Sequence, residues 1–307
     1  MPNNPYNNFV LENEIEDQFN SYLDLDRFCQ IDRSLELNDG MKVTIHRYSA
    51  TDGTEKVSQG QGNSKTITAG YTPVDYEILC AQNRFSWFDE EEMKDPLIVR
   101  TGTNHMGVDM FNTTNADVYA EFKKATLVVP VQAFNFDAIV DAQSMFNSEN
   151  LEGLEFFAFV SPADVAGLRK TLKDDLKYVE KFVTQGYIGT VGGVNIYTKK
   201  DAVTGMIIVA TKDAVTKYTK TGVSSEAERD ANTRKNTMYF RKYYVVALTD
   251  EKYAVKVVKG SASASTDTEV DSDKVYFEKI GLGYHQVKPA EGDNPQSKGW
   301  YEITENF

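Results

Sequence analysis

The side chains able to do chemistry are few in this sequence, and they are scattered. The three histidines, His46, His105 and His285, fall in three different segments. No two have the i, i+4 spacing that puts a metal pair on one helix face, so a helix-borne zinc site is not expected. Cys29 and Cys80 are too few for a disulfide framework or a zinc cage. Neither has an activating base that the sequence reveals. Asp89-Glu-Glu-Glu92 gathers carboxylates, but successive residues of a helix point different ways and do not converge on a cation. Acids in that order suit the first turn of a helix instead. Gly186-Tyr-Ile-Gly-Thr-Val-Gly-Gly193 has the glycine density of a nucleotide loop. Such a loop needs its glycines after a strand and opening a helix, so that amides face a pyrophosphate. Here they follow a helical pattern and open a strand, which predicts tight turns. No Gly-x-Ser-x-Gly elbow and no Gly-x-x-x-x-Gly-Lys-[Ser/Thr] phosphate loop occurs. No catalytic residue, metal ligand or cofactor is assigned, and a non-enzymatic role is expected.

Composition narrows the class further. The 307 residues are 41% hydrophobic and 26% charged, a globular balance. Lys+Arg is 33 against Asp+Glu 46, a net charge of −13. That argues against a protein built to grip nucleic acid, because phosphate neutralisation needs surplus cations. No apolar run approaches the ~20 residues of a membrane crossing. The first residues lack the basic and apolar regions of a secretory signal. With so few cysteines, synthesis in a reducing cytoplasm is expected. The acidity is concentrated at the ends. Residues 1–40 carry a net −7 and residues 261–307 a net −5, while the middle is nearly neutral.

The elements that must position these residues can be read in order. The acidic first forty residues also hold Phe19, Tyr22, Leu23 and Phe28, so they need something to dock against. Met41–Tyr48, Thr66–Thr68 and Val74–Ala81 have strand patterns. Between the first two lies Thr51–Lys65, in which Val57 is the only apolar residue. Such a finger cannot bury itself, since it lacks apolar surface to offset its ordering entropy. Asp89 and Asp95-Pro96 start helices, and the second predicts one helix from Pro96 to Ala125, about 45 Å long. Further on, helices are predicted over Asn135–Phe146, from Ser161-Pro162 to Leu172, and over Asp174–Thr184. Strands are predicted over Glu155–Val160, Val194–Thr198 and Gly205–Ala210. Met238–Leu248 and Lys252–Val258 read as a hairpin around Thr249–Glu251. Gly260–Thr268 reads as a flexible linker. Lys274–Glu278 and Lys298–Glu302 read as two paired strands of a small added unit.

Particular passages, in this order, resemble the major capsid proteins of tailed bacteriophages with the Hong Kong 97-type fold. They are Phe9–Asp17, Gly53–Lys56 with Gly60–Asn63, Gln82–Ser86 leading into Asp89-Glu-Glu, Phe159–Asp164, Gly186–Tyr197 and Arg241–Leu248. The likeness covers residues 9 to 259 and is greatest to versions from phages of Gram-positive bacteria.

The resemblance implies an α+β fold with an N-arm, an extended β-hairpin E-loop, a long spine helix in a peripheral domain and a mixed α/β axial domain. It divides the chain into the arm (1–40), the E-loop and adjoining strand (41–80) and the peripheral domain with its spine helix (81–130). The axial domain (131–237), the return strands (238–259) and a linker with a small β-like extension (260–307) complete it. Subunit contacts are expected from Phe19, Tyr22, Leu23 and Phe28 of the arm, and from Glu55, Lys56, Gln59, Gln61, Asn63 and Lys65 of the finger. The implied role is a head subunit forming pentamers and hexamers of an icosahedral shell around double-stranded DNA, without sequence-specific binding or a membrane. A separate scaffolding protein, a portal and a maturation protease are implied partners. The implied location is the virion, after assembly in the host bacterial cytoplasm. The alternatives are an encapsulin-like compartment shell and another phage structural protein such as a tail or connector.

Overall fold

The computed structural model describes residues 23–36, 40–50, 53–146, 153–172, 189–290 and 292–305. Its strands begin with β1 (Gln30–Asp32), β2 (Lys42–Ala50), β3 (Ala69–Glu77) and β4 (Leu79–Phe88). Then come β5 (Leu127–Val131), β6 (Phe156–Val160), β7 (Thr190–Val191), β8 (Val194–Thr198) and β9 (Met206–Thr211). The rest are β10 (Val215–Asp230), β11 (Lys235–Leu248), β12 (Ala254–Ala264), β13 (Phe277–Ile280), β14 (Gly283–Gln286) and β15 (Tyr301–Glu305). The helices are α1 (Asp89–Lys94), α2 (Ile98–Phe122), α3 (Phe136–Ser144), α4 (Pro162–Thr171) and the short α5 (Pro295–Lys298).

The sequence builds its centre from two strands that are apolar throughout except for Thr211 at the end of the second. Phe156–Val160 and Met206–Thr211 are buried at every position. A strand without a polar face must be covered on both sides. Accordingly β6 and β9 lie side by side inside a nine-stranded mixed sheet, in the order β15-β13-β14-β5-β12-β9-β6-β8-β7. Strand alternation divides their side chains between two cores. Phe157, Phe159, Ile208 and Ala210 face α2, with Val118, Tyr119 and Phe122. Phe156, Ala158, Ile207 and Val209 face α3 and α4, with Ile139 and Leu168. A second sheet, in the order β1-β10-β11-β4, lies with α2, and β2 and β3 form a two-stranded ribbon.

Helix starts follow local chemistry. Asn135 accepts from the Ala138 N–H at 2.9 Å and opens α3. Ser161 caps α4, with Pro162 in its first turn. The Asp95 carboxylate accepts from the Leu97 N–H at 3.0 Å ahead of α2. Helix α2 has 25 residues, about 37 Å at 1.5 Å per residue, shorter at both ends than the predicted helix. The carboxylates of Asp89–Glu92 do diverge. Asp89 takes Arg229 and Asn236, Glu90 takes Arg234, Glu91 accepts the Phe88 N–H, and Glu92 accepts the Trp87 indole. The glycines at 192 and 193 have φ of +56° and +85°. They form the two-residue turn of the β7–β8 hairpin, where positive φ favours glycine.

Several expectations are corrected. Thr66–Thr68 lies outside any strand, and Val74–Ala81 is divided between β3 and β4 at Ile78. Met238–Leu248 and Lys252–Val258 are not a hairpin. β11 pairs with β10 and β4, whereas β12 pairs with β5, β9 and β15. The partner of β11 is the polar strand β10, whose residues from Thr221 to Asp230 are exposed and carry no apolar alternation. Gly260–Ala264 is not a flexible linker. It continues β12 and pairs with β15, Gly260 opposite Glu305 and Ala264 opposite Tyr301. The paired strands expected in the tail do occur, meeting at Phe277 and Tyr301. They are not a separate unit, because β14 also pairs with β5. Ladders thus run from β12 through β5, β14, β13 and β15 back to β12, a closed circuit. The helix expected over Asp174–Thr184 lies outside the described residues.

Two predictions follow from this architecture. A chain ending at Gly260 loses β13–β15 together with buried Tyr276, Phe277 and Trp300, so it should be insoluble or molten. A soluble product with a cooperative thermal transition would contradict the shared core. The second concerns Asp164, 2% exposed, which receives hydrogen bonds from Ser161 Oγ (2.7 Å), the Gly205 N–H (2.8 Å) and Lys259 Nζ (3.0 Å). Burial alone would raise its pKa. The bonds from Ser161, Gly205 and Lys259 outweigh that and hold the carboxyl below its usual range. Its stabilisation is therefore complete above the unfolded-state pKa of about 3.9 and disappears as pH falls through the lower folded value. Asp164→Ala should cost about 2 kcal/mol at neutral pH. Denaturant melts from pH 7 into the acid range should show the variant losing less stability than the wild type.

Candidate assembly surfaces

The ribbon of β2 and β3 joins neither of the larger sheets. Its strands pair over nine residues, from Lys42 opposite Glu77 to Ala50 opposite Ala69. That spans about 30 Å at ~3.3 Å per residue. An isolated two-stranded ribbon is marginal in water. Pro73 sits opposite His46, where a missing N–H is tolerated because β3 has no further neighbour. Lys42 and Asp75 pair at 2.6 Å near the root, and Thr44 also donates to Asp75. Met41, Tyr71 and Ile67 are exposed, Ile67 by 60%.

The finger beyond the ribbon is organised by polar bonds between its two limbs. The Glu55 carboxylate accepts from both the N–H and the hydroxyl of Ser64, at 3.0 and 2.9 Å. These bonds pull its pKa below the usual carboxylate range. Asn63 donates from Nδ2 to the Gly53 carbonyl at 3.0 Å and accepts from the Lys65 N–H at 2.9 Å. A Cβ on Gly53 would lie 2.5 Å from Ile67 Cγ1, so the limbs approach this closely only with glycine there. Glu55, Lys56, Gln59, Gln61, Asn63 and Lys65 are all exposed. The structure brings them together on one projection, with Val57 half exposed among them. Sequence reasoning missed the bonds that shape it, because Ser64 and Glu55 are nine residues apart and have no mutual signature.

The N-terminal residues named in the sequence have different settings. Phe19 and Tyr22 lie outside the described residues. Leu23 is half-buried, and its carbonyl accepts from Asn115 Nδ2 at 3.0 Å. Asn115 Oδ1 in turn accepts from the Leu25 N–H at 3.1 Å. Phe28 is 8% exposed, with its ring 4.8 Å from that of Phe157, 5.3 Å from Phe159 and 4.7 Å from Tyr197. It is a core residue of its own chain and has almost no surface to offer a neighbour. Asp26 pairs with Lys217, and β1 runs parallel to β10. The chain is therefore fastened to its own body from Leu23 to Asp32. Cys29 is buried here, and burial raises its thiol pKa to about 11, which leaves it unreactive.

The structure gathers one set of side chains that the sequence kept apart. His46 of the ribbon and His285 of β14 line the same groove, with Asp250, Glu251 and Lys252. Among the described residues, no group of three or more His, Cys, Asp or Glu side chains could hold a metal ion. No helix of the described residues is long and apolar enough to cross a membrane.

The burial of Phe28 gives a prediction. Phe28→Ala should destabilise the isolated subunit by about 3–5 kcal/mol. Thermal unfolding of unassembled protein reads this directly. An unchanged midpoint would place the ring outside the core.

No protein-family model matches the chain. Over 161 residues it is 30% identical to a major capsid protein of Staphylococcus phage phiMR11, a match covering 51% of this chain and 58% of that protein. The match thus spans little more than half of that relative's length. A structure from Mycobacterium phage Che8 superposes with a TM-score of 0.61 at 16% identity, over 74% of this chain and 88% of that one. The mature capsid subunit of bacteriophage PhiM1 superposes with a TM-score of 0.61 at 12% identity, over 76% and 86% of the two chains. From its sheets and helices, its sequence likeness and these superpositions, the chain has the α+β, Hong Kong 97-type capsid fold and resembles the major capsid proteins of tailed bacteriophages.

Proposed function

We propose that this chain is a head subunit that self-assembles into an icosahedral shell around phage DNA. The observation that carries this reading is the ribbon with its finger. Its nine paired residues make roughly 30 Å of two-stranded structure, in contact with the body near His46, and an exposed polar finger extends beyond them. A finger exposed from Glu55 to Lys65 is stabilised when it lies on another copy. The likeness to a phage major capsid protein over half the chain supports the same reading.

In this reading the ribbon and finger are the E-loop, and α2 is the spine helix. The sheet β1-β10-β11-β4 packs with α2 as the peripheral domain, and the nine-stranded sheet with α3 and α4 is the axial domain. The boundaries drawn from sequence shift with the strand pairing: β10 goes to the peripheral part, and β5 and β12 to the axial part. The arm proper is then the segment before Leu23. Finger residues Glu55, Lys56, Gln59, Gln61, Asn63 and Lys65 make contacts between copies within pentamers and hexamers. A net charge of −13 suits a shell that encloses DNA without adhering to it. A separate scaffolding protein, a portal and a maturation protease are the partners of this reading. Its location is the virion, after assembly in the host cytoplasm.

Electron microscopy of the expressed full chain, with and without candidate scaffold, should show closed shells. Tubes or open rings would favour a tail or connector role. Particles from the host holding a protein cargo and little DNA would favour an encapsulin-like compartment. The part played by the finger has its own test. Replacing Glu55–Lys65 with a short Gly-Ser turn should leave the subunit's melting temperature within about 2 °C of wild type. The same variant should form no shells, and normal shells from it would refute the assembly role.

A further inference from the structure

A cleft at the start of the described chain carries a recognition chemistry that the shell architecture does not use. It has a volume of about 190 Å³ and lies between α2 and the turn after β8. Leu23 forms one end. Asn112, Tyr119, Lys123, Lys199, Lys200 and Asp201 line it, so three lysines face one carboxylate. Tyr119 is its aromatic floor, 4% exposed. Two ammonium groups approach that ring, Lys199 Nζ at 5.2 Å from the centroid and Lys123 Nζ at 5.6 Å. Both gain from the ring quadrupole. The Tyr119 hydroxyl accepts from the Val203 N–H at 3.3 Å, which fixes the ring. Lys199 is 8% exposed and meets Asp201 at 3.9 Å, a long ion pair. Asn112 Oδ1 is buried there without a hydrogen-bond partner. The side chain is half-buried, and with its amide rotated Nδ2 takes that position and can donate to a carboxylate.

Converging cations, an amide and an aromatic floor select a carboxylate. The sequence supplies one next door. The segment before Leu23 contains Glu12-Asn-Glu-Ile-Glu-Asp17 and no Lys or Arg. Asp17 is six residues from Leu23, a reach of up to about 20 Å for an extended chain. Tethering at that range raises the effective concentration to the millimolar scale, which suits weak charge-assisted contacts.

We propose that this lysine-lined cleft is a docking site for the acidic run Glu12–Asp17 of the same chain. Burial pushes the Lys199 pKa down, and a docked carboxylate offsets that cost of keeping the ammonium charged. In an unassembled subunit the contact holds the N-terminal segment against its own helix α2. The proposal concerns the unassembled subunit and does not depend on the shell reading.

The test uses unassembled full-length chain and lysine acylation read by mass spectrometry, with exposed Lys279 as the reference site. The variant E12Q/E14Q/E16Q/D17N should raise acylation of Lys123 and Lys199 about tenfold, the change produced by a 1.4 kcal/mol difference. High salt should do the same to wild type, since such contacts are screened. Equal acylation in variant and wild type would overturn the proposal. Dilution separates the source of the carboxylates. Protection that persists on dilution assigns them to the same chain, and protection that is lost assigns them to another copy and overturns the inference. A second variant, K123Q/K200Q, should speed cleavage by a Glu-specific protease after Glu12, Glu14 and Glu16. An unchanged cleavage rate there would also count against the cleft.

Discussion

Burial of one sheet on both faces is the constraint from which the rest of this structure follows. Phe156–Val160 and Met206–Thr211 are buried at every position. Each face must therefore receive its own cover, and the chain supplies two different ones. Helices α3 and α4 close one face with Ile139, Leu168 and their neighbours. Helix α2, the second sheet and the N-terminal segment close the other, where Phe28, Phe122, Phe157 and Phe159 form a continuous aromatic cluster. Ring pairs of this kind contribute about 0.5–1.5 kcal/mol each beyond area burial. This explains where much of the aromatic surplus goes, and why Phe28 is held inside its own subunit.

The division of labour between core and projection follows from this. Covering the sheet uses the apolar residues of the body, whereas the finger from Thr51 to Lys65 has Val57 as its only large apolar side chain. The finger is shaped by polar bonds such as Glu55–Ser64 and Asn63–Gly53. Polar bonds to exposed groups add little net stability, since water competes for the same donors and acceptors. They set a shape cheaply and leave the surface open to other contacts. A body of fixed geometry with a pre-shaped but unsupported projection is a physical basis for association between copies.

The tail illustrates how strand pairing overrides local composition. Gly260-Ser-Ala-Ser-Ala-Ser alternates only small residues, with no large apolar side chain and low strand propensity. It is nevertheless strand as far as Ala264, because β15 pairs with it across five registers. Ser265 is then buried and donates to Glu302 at 2.7 Å. Lys274 bridges Asp267 and Glu302 at 2.8 and 3.2 Å, tying the turn to the strand. The polar residues that suggest a tether in the sequence are thus the ones whose side chains fix the circuit of strands.

The sequence alone determined the features carried by local physics. Fully apolar runs became the central strands, Asn135 and Ser161-Pro162 began helices, the paired glycines made a turn, and the acids at 89–92 diverged around a helix start. The order of motifs was enough to identify the fold, and the polar finger was legible because its composition forbids burial. Tertiary structure alone decided which strands pair, since hydrogen-bonded ladders join residues far apart and leave no periodic trace. Strand β10 is polar over its outer half and is strand because β11 lies beside it. Phe28 reads the same in sequence whether it meets a neighbour or its own core, and only the packing of Phe157, Phe159 and Tyr197 around it distinguishes the two. Lys123 and Lys199 likewise meet over the Tyr119 ring only because the turn after β8 lies against α2. Local propensity acts over a few residues, whereas burial, pairing and charge convergence depend on which distant segments the closed core brings together.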